Sequence, residues 1–318
     1  MNFESKPLFV ERMKKLLENE EDAKEYFEIL SKPELKSFRV NTLKTTPEKL
    51  KEMLEKKNWK IKQPIKNHPE IMVVDSKLFP GELGRSLEHI LGYYYVQEIT
   101  SMLPILALNP KPEENILDLA ASPGSKTTQI AALMKNAGTL IANDVKLQRI
   151  KILASNLERC GVTNEVITKS DGAALCRKLK MKNFLFDKIL VDAPCSGEGT
   201  FRSMPKTFPA WNIKKIYSLS RIQKNLLENA IEVLKPNGEI VYSTCTHAPE
   251  ENEEIINYVL EKFKNIRVEK ITLPVKCRSG ITKWNDEIFS DELKNTCRIY
   301  PQDNNTEGFF IAKLKKIK

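Results

Sequence analysis

The spacing of apolar and polar positions divides the chain into two stretches of different rhythm. In the first, apolar positions recur every three to four residues over 7–17 and again over 22–30, which predicts two helices with one buried face each. Ser37-Phe-Arg-Val-Asn41 alternates with period two and predicts a strand. Thr46-Pro47-Glu48 reads as a helix start, a capping hydroxyl followed by proline at the first helical position, and the helix is predicted to run to about Lys57. Ile71-Met-Val-Val-Asp75 predicts a second strand, followed by a loop carrying Pro80, Gly81 and Gly84. Residues 87–108 are long and apolar and contain Tyr93, Tyr94 and Tyr95; they predict helices that dock this small unit onto the C-terminal part of the chain.

From Asn115 the rhythm becomes strand, helix, strand. Strands are predicted over 115–120, 139–144, 166–170, 188–192 and 239–243, with a closing strand over 309–315. Helices are predicted over 126–135, 147–160, 219–234 and 251–263, the third ending at Lys235-Pro236-Asn237-Gly238. This alternation predicts an α/β fold, a doubly wound, Rossmann-like sheet that binds ligands outside the carboxyl ends of its strands. Asn109-Pro110-Lys111-Pro112 marks the boundary between a smaller helical and α+β domain, residues 1–110, and a larger one, residues 111–318.

Composition narrows the class. At 318 residues, 41% apolar and 29% charged, with 12 Gly and 17 Pro, the chain is neither disordered, collagenous nor of low complexity. Its longest apolar run, Met102 to Leu108, is broken by Pro104 and falls far short of the ~20 residues of a membrane helix. Acid and base stand at the N-terminus where a signal peptide has an apolar block, so a cytoplasmic protein is expected. The net charge of +9 lies wholly in residues 115–318, which hold 32 Lys+Arg against 23 Asp+Glu; residues 1–114 balance at 19 of each. Such a surplus suits a polyanion such as RNA, although a solvated lysine-rich surface accounts for the charge equally well. The six cysteines form no C-x-x-C pair, so neither a disulfide nor a zinc site is indicated and the thiols are expected to be reduced. With three histidines, no metal centre is expected.

Ile116-Leu-Asp-Leu-Ala-Ala-Ser-Pro-Gly-Ser-Lys-Thr127 places a buried strand, a carboxylate, a tight turn and a helix start in succession. Ser125 and Ala120 stand where a P-loop has glycines, and only Gly124 matches a dinucleotide fingerprint. What remains is a turn, Ala120, Ala121, Ser122, Pro123, Gly124, Ser125 and Lys126, whose amides can approach a small ligand. Asp118, Asp144 and Asp171 end three consecutive predicted strands. Asp144 is placed to accept ribose hydroxyls and Asp171 an adenine amino proton, a set that suits S-adenosylmethionine, a nucleoside without phosphate and with a positive centre. Taken singly, each aspartate is more simply a helix cap or a loop charge; in order, they point to a pocket.

Two further strand ends carry thiols: Asp192-Ala-Pro-Cys195-Ser-Gly-Glu-Gly-Thr200 and Ser243-Thr-Cys245-Thr246. Cys160 and Cys176 read as inert core residues. A thiolate beside a methyl donor can add to C6 of cytosine and make C5 nucleophilic, a scheme that needs one nucleophile and one base or release group. A carboxyl near N3 that is protonated or shares a proton would stabilise the adduct, and Asp192 is suitably placed; Lys126 could hold that carboxylate and lower a thiol's pKa. The aromatic that follows Asp-Pro-Pro in enzymes methylating exocyclic amines is missing here, which favours carbon as the acceptor.

These residues resemble the NOL1/NOP2/Sun-type RNA cytosine-C5 methyltransferases. The likeness runs from Arg39-Val-Asn-Thr-Leu-Lys44 through Tyr95-Val-Gln-Glu-Ile-Thr-Ser-Met102 and both cysteine motifs to Arg298-Ile-Tyr-Pro and Gly308-Phe-Phe-Ile-Ala312. It implies an S-adenosylmethionine-dependent enzyme with Cys245 as nucleophile and Cys195 assisting proton loss and release, while Asp192 and Lys126 contact the base. It places Ala120 to Lys126, Asp144, Arg149, Asp171 and Asp192 around the cofactor. Ser122 and Ser125 depart from the commoner Ala-Ala-Pro-Gly-Gly-Lys turn, and a serine at 125 limits positive φ there. The compact build resembles archaeal enzymes that act on tRNA positions 48 and 49, so tRNA is the expected partner of a monomeric enzyme. Ribosomal RNA, or a catalytically silent RNA-binding assembly factor, are the alternatives, with small-molecule or protein methylation as a further rival. Residues 1–110 would help grip RNA, with Arg39, Lys44 and Tyr93–Tyr95 as contact candidates; packing of those tyrosines between the domains is the simpler account. A stacked cytosine must be flipped to reach the thiol.

Overall fold

A computed structural model describes residues 3–318. The N-terminal part contains α1 (Pro7–Leu16), α2 (Glu20–Ile29), β1 (Lys36–Val40), α3 (Pro47–Glu55), β2 (Ile61–Lys62), β3 (Ile71–Val74), α4 (Glu82–Arg85), α5 (Leu87–Ile90), β4 (Tyr94–Val96) and α6 (Ile99–Leu108). The caps expected from sequence form: the Thr46 side chain accepts the Lys49 N–H, and Asn19 that of Asp22. Four strands make an antiparallel sheet in the order β2-β3-β1-β4.

The structure differs from the sequence reading at several places here. Residues 94–96 form a strand, not helix, because aromatic and β-branched side chains pair along β1 and bury Tyr94 against Phe38, ring centroids 4.7 Å apart. Gly84 lies in the short α4, while Gly81 takes the left-handed turn before it, φ 75°.

The larger part runs β5 (Asn115–Asp118), α7 (Ser125–Met134), β6 (Thr139–Asp144), α8 (Leu147–Cys160), β7 (Glu165–Lys169), α9 (Gly172–Met181), β8 (Phe186–Asp192), α10 (Ile213–Glu232), β9 (Leu234–Thr244), α11 (Glu253–Lys262), β10 (Ile266–Glu269), β11 (Arg278–Ser279), β12 (Lys283–Trp284), β13 (Glu287–Ile288), β14 (Cys297–Ile299), α12 (Pro301–Asn304) and β15 (Phe309–Lys316). Strands β7-β6-β5-β8-β9 are parallel neighbours, and β15, β14, β11 and β10 continue the sheet antiparallel. The order reverses between β5 and β8, which makes the carboxyl ends of those two strands the topological switch point of the sheet.

Period-two alternation builds a core on each face. Ile189, Val191, Ile240, Tyr242 and Phe310 point to the side covered by α9, α10 and α11; Leu190, Val241 and Ile311 point to the side covered by α6, α7 and α8. Residues 234–238 belong to β9 rather than to a loop: the register against β8 shifts between Phe186 and Lys188, so the Pro-Asn-Gly stretch is absorbed as an irregularity, with Asn237 at φ 63°.

The first two helices pack on the large unit. Phe9 meets Phe201, Phe208 and Trp211 edge to face, Arg12 pairs with Glu250 at 2.6 Å, and Asp22 pairs with Arg278. No helix among the described residues is long and apolar enough to cross a membrane.

The expectation of six free thiols needs correction. Cys160, Cys176, Cys195 and Cys245 are free, but Cys277 and Cys297 form a disulfide. β11 runs antiparallel to β14 with Ser279 opposite Cys297, which brings the two α-carbons to 5.4 Å across a separation of 20 residues. That closeness is tertiary and leaves no local spacing signature.

Candidate active site

The site grows from the switch point. β5 ends at Asp118, whose Oδ2 accepts the Thr127 hydroxyl of α7 at 2.7 Å. Its Oδ1 has no partner among the described residues, and burial of the side chain, 1% exposed, pushes the carboxyl up to about 7. The turn from β5 into α7 takes its left-handed step at Gly124, φ 106°, where a Cβ would meet Leu153 Cδ1 at 3.1 Å. Ser125 therefore begins the helix and is free of the φ penalty expected for it.

The turn presents Lys126. Its ammonium donates to Asp192 Oδ2 at 2.8 Å and to the Ser101 hydroxyl at 3.0 Å, and lies 5.3 Å from the Phe309 ring centre. The other Asp192 oxygen accepts the Ser243 hydroxyl at 2.7 Å. The sequence-expected pairing of Lys126 with Asp192 is thus present, with each carboxylate oxygen held in a fixed direction.

The two loop thiols meet beside this pair. Cys195 follows β8 and Cys245 follows β9, and their sulfurs stand 3.2 Å apart. The Cys195 thiol is pushed well above its ordinary range, chiefly by its hydrogen bond to Cys245, then by burial. Either sulfur can be the donor in this contact.

Glycines let three loops converge here. The Gly199 N–H donates to the Cys245 carbonyl, and the Gly308 N–H to the Gly199 carbonyl, both at 2.9 Å. A Cβ on Gly199 would sit 2.2 Å from the Gly308 oxygen. His247 is buried and stacked on Tyr300; burial and the nearby Arg298 guanidinium hold its pKa down to about 3, so it is neutral and unsuited to general-base work at neutral pH.

Asp118, Ala120, Ala121, Ser122, Pro123, Ser125, Lys126, Asp192 and Cys245 line one cavity of about 340 Å³. Met204 and Glu307 also line it, and sequence reasoning missed both. Glu307 precedes the glycine of the Gly-Phe-Phe strand; burial, then the nearby Glu98 carboxylate, push it up to about 8. Asp144, Arg149 and Asp171 stand along the same row of strand ends but outside the lining. Asp144 receives Arg149 Nε at 3.3 Å, and Arg149 Nη2 donates to the Ser122 carbonyl at 2.5 Å, so these residues brace the turn. Asp171 caps α9 through the Ala174 N–H.

The suggested RNA contacts are largely consumed by packing. Arg39, 2% exposed, donates to Thr128, Tyr94 and Tyr95 are buried, and the Lys44 ammonium donates to the carbonyls of Leu91 and Arg159.

Comparison with known proteins agrees with this geometry. Residues 105–315 match the family described as 16S rRNA methyltransferase RsmB/F, and residues 6–99 match the N-terminal domain of 16S rRNA methyltransferase RsmF. A tRNA (cytosine(49)-C(5))-methyltransferase of Pyrococcus abyssi is 43% identical over 96% of this chain and 95% of its own. A ribosomal RNA small subunit methyltransferase F of Vibrio campbellii is 38% identical over 97% of this chain, which spans 63% of that protein's length. The crystal structure of a methyltransferase homolog protein from Pyrococcus horikoshii superposes with a TM-score of 0.84 at 37% identity, covering 98% of this chain and 95% of that one.

Proposed function

This chain belongs to the RsmB/F family of RNA methyltransferases, and from that premise we propose that it methylates cytosine C5 in tRNA, at positions 48 or 49, through a covalent adduct on Cys245. The observation that carries the proposal is the 3.2 Å approach of the two sulfurs beside the Lys126–Asp192 pair at the switch point.

The cavity fits S-adenosylmethionine in two respects. The unpartnered, buried Asp118 oxygen can receive a donor, and the turn residues Ala120 to Pro123, Ser125 and Lys126 form one wall of the cavity. The turn from Ala120 to Lys126, braced by Arg149 and Asp144, would hold the cofactor, which supplies an electrophilic methyl group when bound.

The chain's own residues supply the rest. Cys245 lines the cavity, and its sulfur adds to C6 of a flipped cytosine, placing the electron pair of the C5=C6 bond where C5 can attack. Asp192, oriented by Lys126 and Ser243, would share a proton with N3 of the base, and that proton offsets the negative charge that addition at C6 places on N3. After C5 is methylated, a base removes its proton, that C–H pair restores the double bond, and the C6–S pair returns to Cys245. Cys195 fits this base. Its sulfur stands 3.2 Å from Cys245, and as a thiolate it takes the C5 proton and becomes the thiol.

The 43% identity to the tRNA enzyme, reciprocal over nearly both lengths, favours tRNA over ribosomal RNA. The test is label transfer from S-adenosylmethionine to unmodified tRNA and to ribosomal RNA, followed by bisulfite mapping. Cys195→Ala should accumulate a protein–RNA band on denaturing gels, and Cys245→Ala neither band nor product. Incorporation into ribosomal RNA alone would reverse the substrate assignment; the opposite pattern of bands would exchange the cysteine roles.

A further inference from the structure

Two buried side chains grip the backbone on either side of Cys195. Gln223, from the middle of α10, donates from Nε2 to the Pro194 carbonyl at 2.8 Å and to Glu251 Oε2 at 2.7 Å. The same Glu251 oxygen accepts the Ser196 N–H at 3.0 Å. Both side chains are 0% exposed. The Glu251 carbonyl in turn accepts the Tyr242 hydroxyl of β9 at 2.6 Å, so the grip is anchored to the strand that leads to Cys245. Neither residue lines the cavity.

We infer that Gln223 and Glu251 are positioning residues for the release step, holding Cys195 against Cys245 by clamping the peptide units before and after it. This rests on the roles proposed above for the two cysteines. Burying two polar side chains costs stability that an apolar pair of the same volume would not. Here their hydrogen bonds go to the two carbonyl and amide groups that set where the thiol points. A displacement near 1 Å at a reacting group costs up to about a hundredfold in rate, and the clamp removes that freedom.

The substitutions that test this are Gln223→Leu, Glu251→Ala and Glu251→Gln, compared with Cys195→Ala. Each is incubated with S-adenosylmethionine and whichever of unmodified tRNA and ribosomal RNA accepts label, then run on denaturing gels, with thermal melting to confirm the fold. Gln223→Leu and Glu251→Ala should form adduct at the normal rate but release it about ten- to a hundredfold more slowly, so that the band seen with Cys195→Ala builds up. Glu251→Gln should release normally, because its Oε1 can accept from both Ser196 and Gln223. A merely structural role would lower melting temperature and adduct formation together, without a trapped band. If Cys195→Ala traps RNA while folded Gln223→Leu turns over with no band, the clamp is refuted and the cysteine roles stand. Should Cys195→Ala trap nothing, the roles fall and the clamp with them. Where Glu251→Ala does not fold, Gln223→Leu decides.

Discussion

Glu307→Gln isolates the buried carboxyl that faces the cavity. Glu307 sits with Glu98 and Glu34 around Arg202, accepts the Ser203 hydroxyl, and holds its proton up to about 8 against an ordinary 4.5. The unfolded carboxyl ionises at its ordinary value while the folded one stays neutral, so the stabilisation is fully present below that value. It is lost as pH rises through about 8. Each unit of pH in that window removes about 1.4 kcal/mol. Between pH 6 and pH 8 the loss is therefore about 3 kcal/mol. With an unfolding entropy of about 2.1 cal/mol/K per residue, this is a fall in melting temperature of about 4 °C. Glutamine keeps the acceptor for Ser203 but cannot ionise. Calorimetry at pH 6, 7, 8 and 8.5 should show the melting temperature of Glu307→Gln rising relative to wild type by about 4 °C between pH 6 and pH 8.5. Asp118 and Glu251, each pushed up to about 7 by burial, titrate in both proteins and cancel in the difference. Parallel pH dependences for the two proteins would refute a neutral acid at this position.

The Cys277–Cys297 bridge closes a separation of 20 residues, so Cys277→Ser should lose about 3 kcal/mol; a wild-type melting temperature unmoved by reductant would contradict this. Gly199→Ala puts a Cβ 2.2 Å from the Gly308 carbonyl, where backbone cannot retreat, and should cost about 1–3 kcal/mol. Because Gly199 also bonds the Cys245 carbonyl, methyl transfer should fall further than stability does, and equal losses would argue against that coupling.

Most of the fold could be read from the chain because its signals are local. The strands over β5, β6 and β8 alternate or run apolar, and α8 was expected over its full observed length. Where tertiary pairing overrides local pattern, the reading slipped. Tyr94–Val96 looks helical within its apolar stretch until β1 offers an edge, and α9 was missed because Ala, Leu and Cys share it with a dense run of lysines. The cystine was invisible for the same reason, since an excursion of 20 residues leaves no spacing to recognise.

The site divides along the same line. Residues at strand ends are legible because a doubly wound sheet delivers them to one edge, and so Asp118, Lys126, Asp192, Cys195 and Cys245 could be grouped from the chain alone. The groups that orient them could not. Gln223 lies inside a helix whose pattern marks it only as another buried-face position, and Glu251 reads as the first turn of a helix, where acid is ordinary. Their meaning appears only when both turn out to reach the peptides flanking a single thiol. Reacting groups announce themselves by residue type, whereas the groups that aim them are ordinary residues defined by direction. In this protein the pairing of sulfurs at 3.2 Å is set by the second kind, and substitutions there should change the rate of release while leaving the reacting atoms in place.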